Sequence, residues 1–183
     1  MTRTLFALLL LPALAACDST ASEPEPEPGS PLATVTVDLE TITAVRDCDG
    51  GSNPGDFHFQ ISFVDGRNQS IGSVVEIPTG TYGTDGSASN TIQLTDGESL
   101  PINQSVSFSL PEETGSAFTV TLSMIEWESA TTRDPQADDV SRLRTYEYRD
   151  GRFQSIAGDQ TLFVYGTNSS ACQASLSYGI RVD

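Results

Sequence analysis

The chain has 183 residues, with nine basic and 25 acidic side chains and a formal net charge of −16; every base is Arg. Such a surface repels polyanions, which excludes nucleic acid and disfavours direct adsorption to anionic lipid. The length left after the N-terminal segments described next suits one domain with its own core and leaves no room for a second.

The first elements are not part of the fold. Residues 1–17 read MTRTLFALLLLPALAAC, one Arg followed by an apolar run and then small residues. That is the order of a secretory signal, and the run is too short for a permanent transmembrane helix. Leu14-Ala15-Ala16-Cys17 resembles the lipobox of bacterial lipoproteins. The resemblance implies that residues 1–16 are removed as a signal peptide, that Cys17 carries the lipid, and that the product is a lipid-anchored protein of the cell envelope. An Asp directly after the lipidated Cys favours inner-membrane retention in some bacteria and early acids accompany surface export in others; the outer membrane or cell surface is expected ahead of the inner membrane. An ordinary secretory signal with a coincidental Cys is the competing reading. Residues 17–31 continue as a spacer of acids, Pro, Ser and Gly with nothing large and apolar to bury, so a disordered, extended tether is expected.

From residue 32 to 183 the dominant signal is period-2 alternation. A first strand is expected over 34–45. Phe57, Phe59, Ile61 and Phe63 alternate with His58, Gln60 and Ser62; further candidates lie at 71–77 and 91–94. Val106, Phe108 and Leu110, then Phe118, Val120, Leu122 and Met124, alternate with Ser and Thr. Stretches 143–149 and 161–165 follow, and Leu176, Tyr178, Ile180 and Val182 complete the series. Asp-Gly pairs at 49, 65, 85, 96 and 150 punctuate the runs, as tight turns with positive φ require. Sustained helical periodicity is absent, apart from a short turn expected near 135–142. About eight strands with one apolar face each predict an all-β, antiparallel β-sandwich, preferred here over a barrel.

With Cys17 acylated, Cys48 and Cys172 remain in a compartment where disulfides persist. A bridge between them fits a first strand paired antiparallel with the last. Two buried thiols or a redox pair are the alternatives, and neither Cys belongs to a C-x-x-C.

Two loops concentrate acids. Arg46-Asp47-Cys48-Asp49-Gly50-Gly51-Ser52-Asn53-Pro54-Gly55-Asp56 follows the first strand, and Glu126-Trp127-Glu128 leads into Asp134, Asp138 and Asp139. Clustered carboxylates repel one another unless a hard cation such as Ca²⁺ shares them. An EF-hand is excluded, because Gly51 and Ser52 fall where that loop needs a ligand and its Gly. The run Asp49 to Phe57 resembles the first calcium loop of the β-sandwich found in synaptotagmin and protein kinase C, and Glu126 to Asp139 resembles that family's third loop. This resemblance implies a non-catalytic β-sandwich in which Asp47, Asp49 and Asp56 face Glu126, Glu128 and Asp138 or Asp139 across one end, with Ca²⁺ between them. Here Glu stands for the family's paired Asp, Pro54-Gly55-Asp56 departs from its Asp-Pro order, and the cysteines are no family feature. The bland alternative is that these loops share a general acidity. A metal-independent adhesion module for an envelope protein or polysaccharide is the competing function.

Catalytic patterns are sparse. A single His, His58, cannot build a His-based zinc site and is expected on the surface; no Gly-x-Ser-x-Gly or His-x-x-Glu-His run occurs. Glu126 and Glu128 lie two apart on one strand and face the same way, unlike an opposed glycosidase pair. A hydrolase is therefore the third reading. Trp127 is expected in the core, the alternative being an exposed platform for sugar stacking.

Overall fold

The computed structural model describes residues 29–47, 54–79, 91–129, 132–133, 140–166 and 172–183. The alternating stretches become strands: β1 (Leu32–Arg46), β2 (Gly55–Asp65), β3 (Val75–Ile77), β4 (Ile92–Leu94), β5 (Ser99–Pro111), β6 (Ala117–Ser129), β7 (Thr132–Arg133), β8 (Val140–Arg149), β9 (Arg152–Phe153), β10 (Gln160–Tyr165) and β11 (Gln173–Val182). No helix occurs among the described residues. The segment expected over 71–77 is a strand only from Val75, because Gly72 adopts φ +68 and lies against Val106, a conformation that breaks the pleat. The 135–142 turn falls mainly outside the described residues, and Val140 already belongs to β8.

Two antiparallel sheets form the sandwich. One has the order β10-β11-β1-β5; the other runs β3-β2-β6-β8-β9, with β4 also on β2 and β7 also on β6. β1 joins β11 on one side and β5 on the other, and its far end pairs Arg46 with Gln173. The expected pairing of first and last strands is thus present. A bulge between Leu39 and Thr41 reverses the parity of β1: Ala33, Val35, Val37 and Leu39 face inward before it, and Ile42 and Ala44 after it.

The core fills the space between the sheets. Phe108 of β5 meets Phe63 of β2 and Phe118 of β6, with ring centroids 5.9 and 5.4 Å apart. Phe118 stacks on Tyr146 at 4.9 Å, and Phe153 closes the cluster at 5.6 Å from Phe118. Burying each such ring stabilises the fold by roughly 1.5–3 kcal/mol. Tyr146 on β8 and Tyr178 on β11 share a hydroxyl–hydroxyl hydrogen bond of 2.8 Å, so a polar tie joins the two sheets inside the apolar layer. The β8–β9 hairpin turns through Asp150 and Gly151, at φ 53 and 76, the paired left-handed residues that a two-residue hairpin loop demands.

Candidate functional site at the acid-lined end

Register decides which connections are neighbours. Phe57 at the start of β2 lies opposite Glu126 near the end of β6, and Gly55 lies opposite Leu94 of β4. Thr43, near the end of β1, lies opposite Ser99 at the start of β5. The segments after β1, before β5 and after β6 therefore emerge at one end of the sandwich.

Four described acids meet there in two contacts. The backbone N–H of Asp47 donates to Oδ1 of Asp96 at 2.6 Å. The N–H of Asp56 donates to Oε1 of Glu126 at 3.3 Å, and the Thr91 hydroxyl donates to Oδ1 of Asp56 at 3.2 Å. Gly55 links the two contacts: a Cβ there would lie 2.7 Å from the Phe57 ring and 3.4 Å from the Asp47 Cβ, so only glycine lets the ring fold over the strand start. Glu126 is fully buried, continuing the inward row of Phe118, Val120, Leu122 and Met124, whereas Asp96 is exposed.

Among the described residues no group of three or more His, Cys, Asp or Glu side chains is placed to hold a metal ion. Asp49, Asp138 and Asp139 lie outside the described residues, as do Cys17 and Cys48; Glu128 is placed by its backbone in β6. Asp96, in the Thr95–Glu98 turn, lies against Asp47 and was not among the expected acids. Its signal was the Asp96-Gly97 pair, which the sequence marked as a turn without showing that Gly97 N–H donates to the Ala44 carbonyl and pins the turn against β1.

Two expectations change. His58 points away from the Phe face, as alternation requires, yet it is 3 % exposed and not a surface residue. It lies opposite Ile125, which is also buried, on the far side of β2 and β6 from the central core. Trp127 is buried as expected, but outside the central cluster and on that same far side. Alternation tells which face a side chain takes; it does not tell whether that face is covered.

Cys172 is fully buried immediately before β11, and its neighbour Gln173 is paired with Arg46, two residues short of Cys48. Two open recesses, of about 570 and 410 Å³, adjoin Asp65, Gly66 and Gly115 at the opposite end of the sandwich from the acidic loops.

No family model and no curated protein matches the chain. Among solved structures it is similar to human GIVD cytosolic phospholipase A2 in complex with methyl gamma-linolenyl fluorophosphonate inhibitor and terbium chloride, with TM-score 0.40 and 10% identity over 84% of this chain. A second structure of that enzyme with the fluorophosphonate gives TM-score 0.41 and 12% identity, again over 84% of this chain. The chain spans 18% and 17% of those two proteins, and a likeness at this level transfers neither activity nor metal.

Proposed function

We propose that the protein is a lipid-anchored envelope lipoprotein whose non-catalytic β-sandwich binds Ca²⁺ at its acid-lined end. Cys17 carries the lipid, residues 17–31 form the tether, and a Cys48–Cys172 disulfide fastens the end of β1 to the start of β11. Cys172 is disulfide-bonded, which supports that pairing. The observation supporting the calcium reading is the register that sets the start of β2 beside the end of β6, with the Asp56 N–H on Glu126. Asp47, Asp49, Asp56, Glu128, Asp138 and Asp139 would supply the oxygens a hard cation needs. Glu126, also expected as a ligand, is buried and accepts the Asp56 N–H.

Calcium titration with thermal unfolding tests this. At a hundredfold excess over Kd, one site adds about 2.7 kcal/mol, a rise in Tm of roughly 5–11 °C for a chain of this size, reversed by EDTA. The double variant Asp49→Ala, Glu128→Ala should lose the rise. A melting temperature indifferent to calcium overturns the metal reading and leaves a metal-independent binding module; a rise that survives the double variant overturns the residue assignment.

A further inference from the structure

One margin of the seven-stranded sheet is open. β8 pairs with β6 from Val140 to Glu147, whereas on its other side β9 covers only Tyr148 and Arg149. Two bonds at that corner fix the direction of the backbone groups: the Tyr148 N–H donates to the Ser116 carbonyl on the β6 side, and the Glu147 carbonyl accepts the Gln154 N–H on the β9 side. Direction alternates along a strand, so Thr145, Leu143 and Ser141 also turn their N–H and C=O groups away from β6. No strand among the described residues lies beyond them, and Ser141 to Thr145 are all exposed, Leu143 at 64 %.

The side chains along this edge are basic in an acidic protein. Residues 142–152 hold four Arg and two acids, a local charge of 4 − 2 = +2 in a chain of −16. Tyr146 faces the core, so Arg144 and Arg142 share its face and Leu143 takes the other. The Arg144 guanidinium carbon lies 5.9 Å from the Tyr146 ring centroid, and Arg142 donates to the Ser141 carbonyl at 2.9 Å. Among the described residues no carboxylate pairs with either guanidinium.

We propose that the β8 edge receives an extended segment of a partner protein as a further antiparallel strand, with acids opposite Arg142 and Arg144 and an apolar residue opposite Leu143. Only another strand presents N–H and C=O groups at the spacing of those on β8, which a polysaccharide or a bilayer does not. A second copy of β8 would set arginine against arginine. The Glu-Pro repeat of residues 23–28 is also excluded: with its acids opposite the arginines, Pro, which has no N–H, would fall opposite Leu143. The overall charge does not forbid an acidic segment, because at physiological salt exposed charges more than about 8 Å away are largely screened.

Fluorescence polarisation of the full chain with a short labelled peptide alternating Glu and Val tests the proposal. Saturable binding is expected, with none of the counterpart alternating Lys and Val. N-methylation of the Val amides should abolish binding, because those N–H groups face β8; N-methylation of the Glu amides, which face away, should leave it. Arg142→Gln with Arg144→Gln should weaken binding about tenfold, the loss of two charge pairs at an exposed edge, and Arg142→Glu with Arg144→Glu should transfer it to the Lys peptide. EDTA should change nothing, which separates this edge from the acid-lined end. The methylated peptides are read on the unaltered protein, so a variant that folds poorly leaves the test intact. No saturable binding, equal binding of the two methylated peptides, or binding indifferent to the Arg→Gln pair overturns the proposal. Equal binding of the methylated peptides together with displacement by heparin or by anionic vesicles would overturn it in favour of an anionic polysaccharide or a lipid surface.

Discussion

Removing either hydroxyl of the Tyr146–Tyr178 pair should destabilise the fold, and removing both should do less damage than the two single changes summed. The rings are 1 % and 0 % exposed, and the 2.8 Å bond is the polar tie between β8 and β11. A neutral hydrogen bond contributes about 0.5–1.5 kcal/mol net, and a buried hydroxyl stripped of its partner costs a further penalty, so each Tyr→Phe change should remove about 1–3 kcal/mol. For 2 kcal/mol the fall in Tm is roughly 4–8 °C in a chain of this size. Tyr146 keeps a second acceptor in Gln160, 3.5 Å away, and Tyr178 keeps an interaction with Arg144, which hold each single effect below the upper limit. The double variant strands no hydroxyl of the pair, so a double-mutant cycle in urea should show a coupling of about 1 kcal/mol. Burial pushes both phenols above their ordinary pKa of 10.0. The unfolded chain then releases these protons first, and stability falls as pH rises above about 10, less steeply in the double variant. Strictly additive single effects, with unchanged alkaline sensitivity, would show that the two hydroxyls do not act as a pair.

Two further predictions concern stability. The bidentate Arg181 hydrogen bonds, helped by Ser105, lower the Asp38 carboxyl from 3.8 to about 2. The stabilisation is present above the unfolded value and lost as pH falls through about 2. Asp38→Asn should therefore flatten the decline in urea midpoint between pH 4 and pH 2, and parallel acid profiles for variant and parent would contradict this. Cys48→Ser and Cys172→Ser should each lower stability by on the order of 4 kcal/mol, less any strain released, because the proposed bridge closes a loop of roughly 120 residues. A free-thiol assay finding both cysteines reduced in the native protein would dismiss the bridge.

Much of the fold was legible along the chain. Phe57 to Phe63 and Phe118 to Met124 alternate because each strand buries one face, and the structure places both rows in one core. Asp150-Gly151 was readable because two left-handed residues are needed to reverse a hairpin in two positions. The parity change at Glu40 was harder to read, since a bulge shifts every later residue of β1 without leaving a turn residue behind. Of the candidate site, the acids were visible but their depth was not: Glu126 and Asp96 look alike in sequence, yet one is buried and the other exposed.

The sequence by itself determined the strand periodicity, the turn positions and the acidity of the loops, all of which depend on residues close together along the chain. Tertiary structure alone decided that the segments after β1, before β5 and after β6 share an end, because strand register sets which distant residues become neighbours. It also decided that His58 and Trp127 are covered while Phe163 and Tyr165 are exposed. Burial depends on what packs over a face, and pleating fixes only the face.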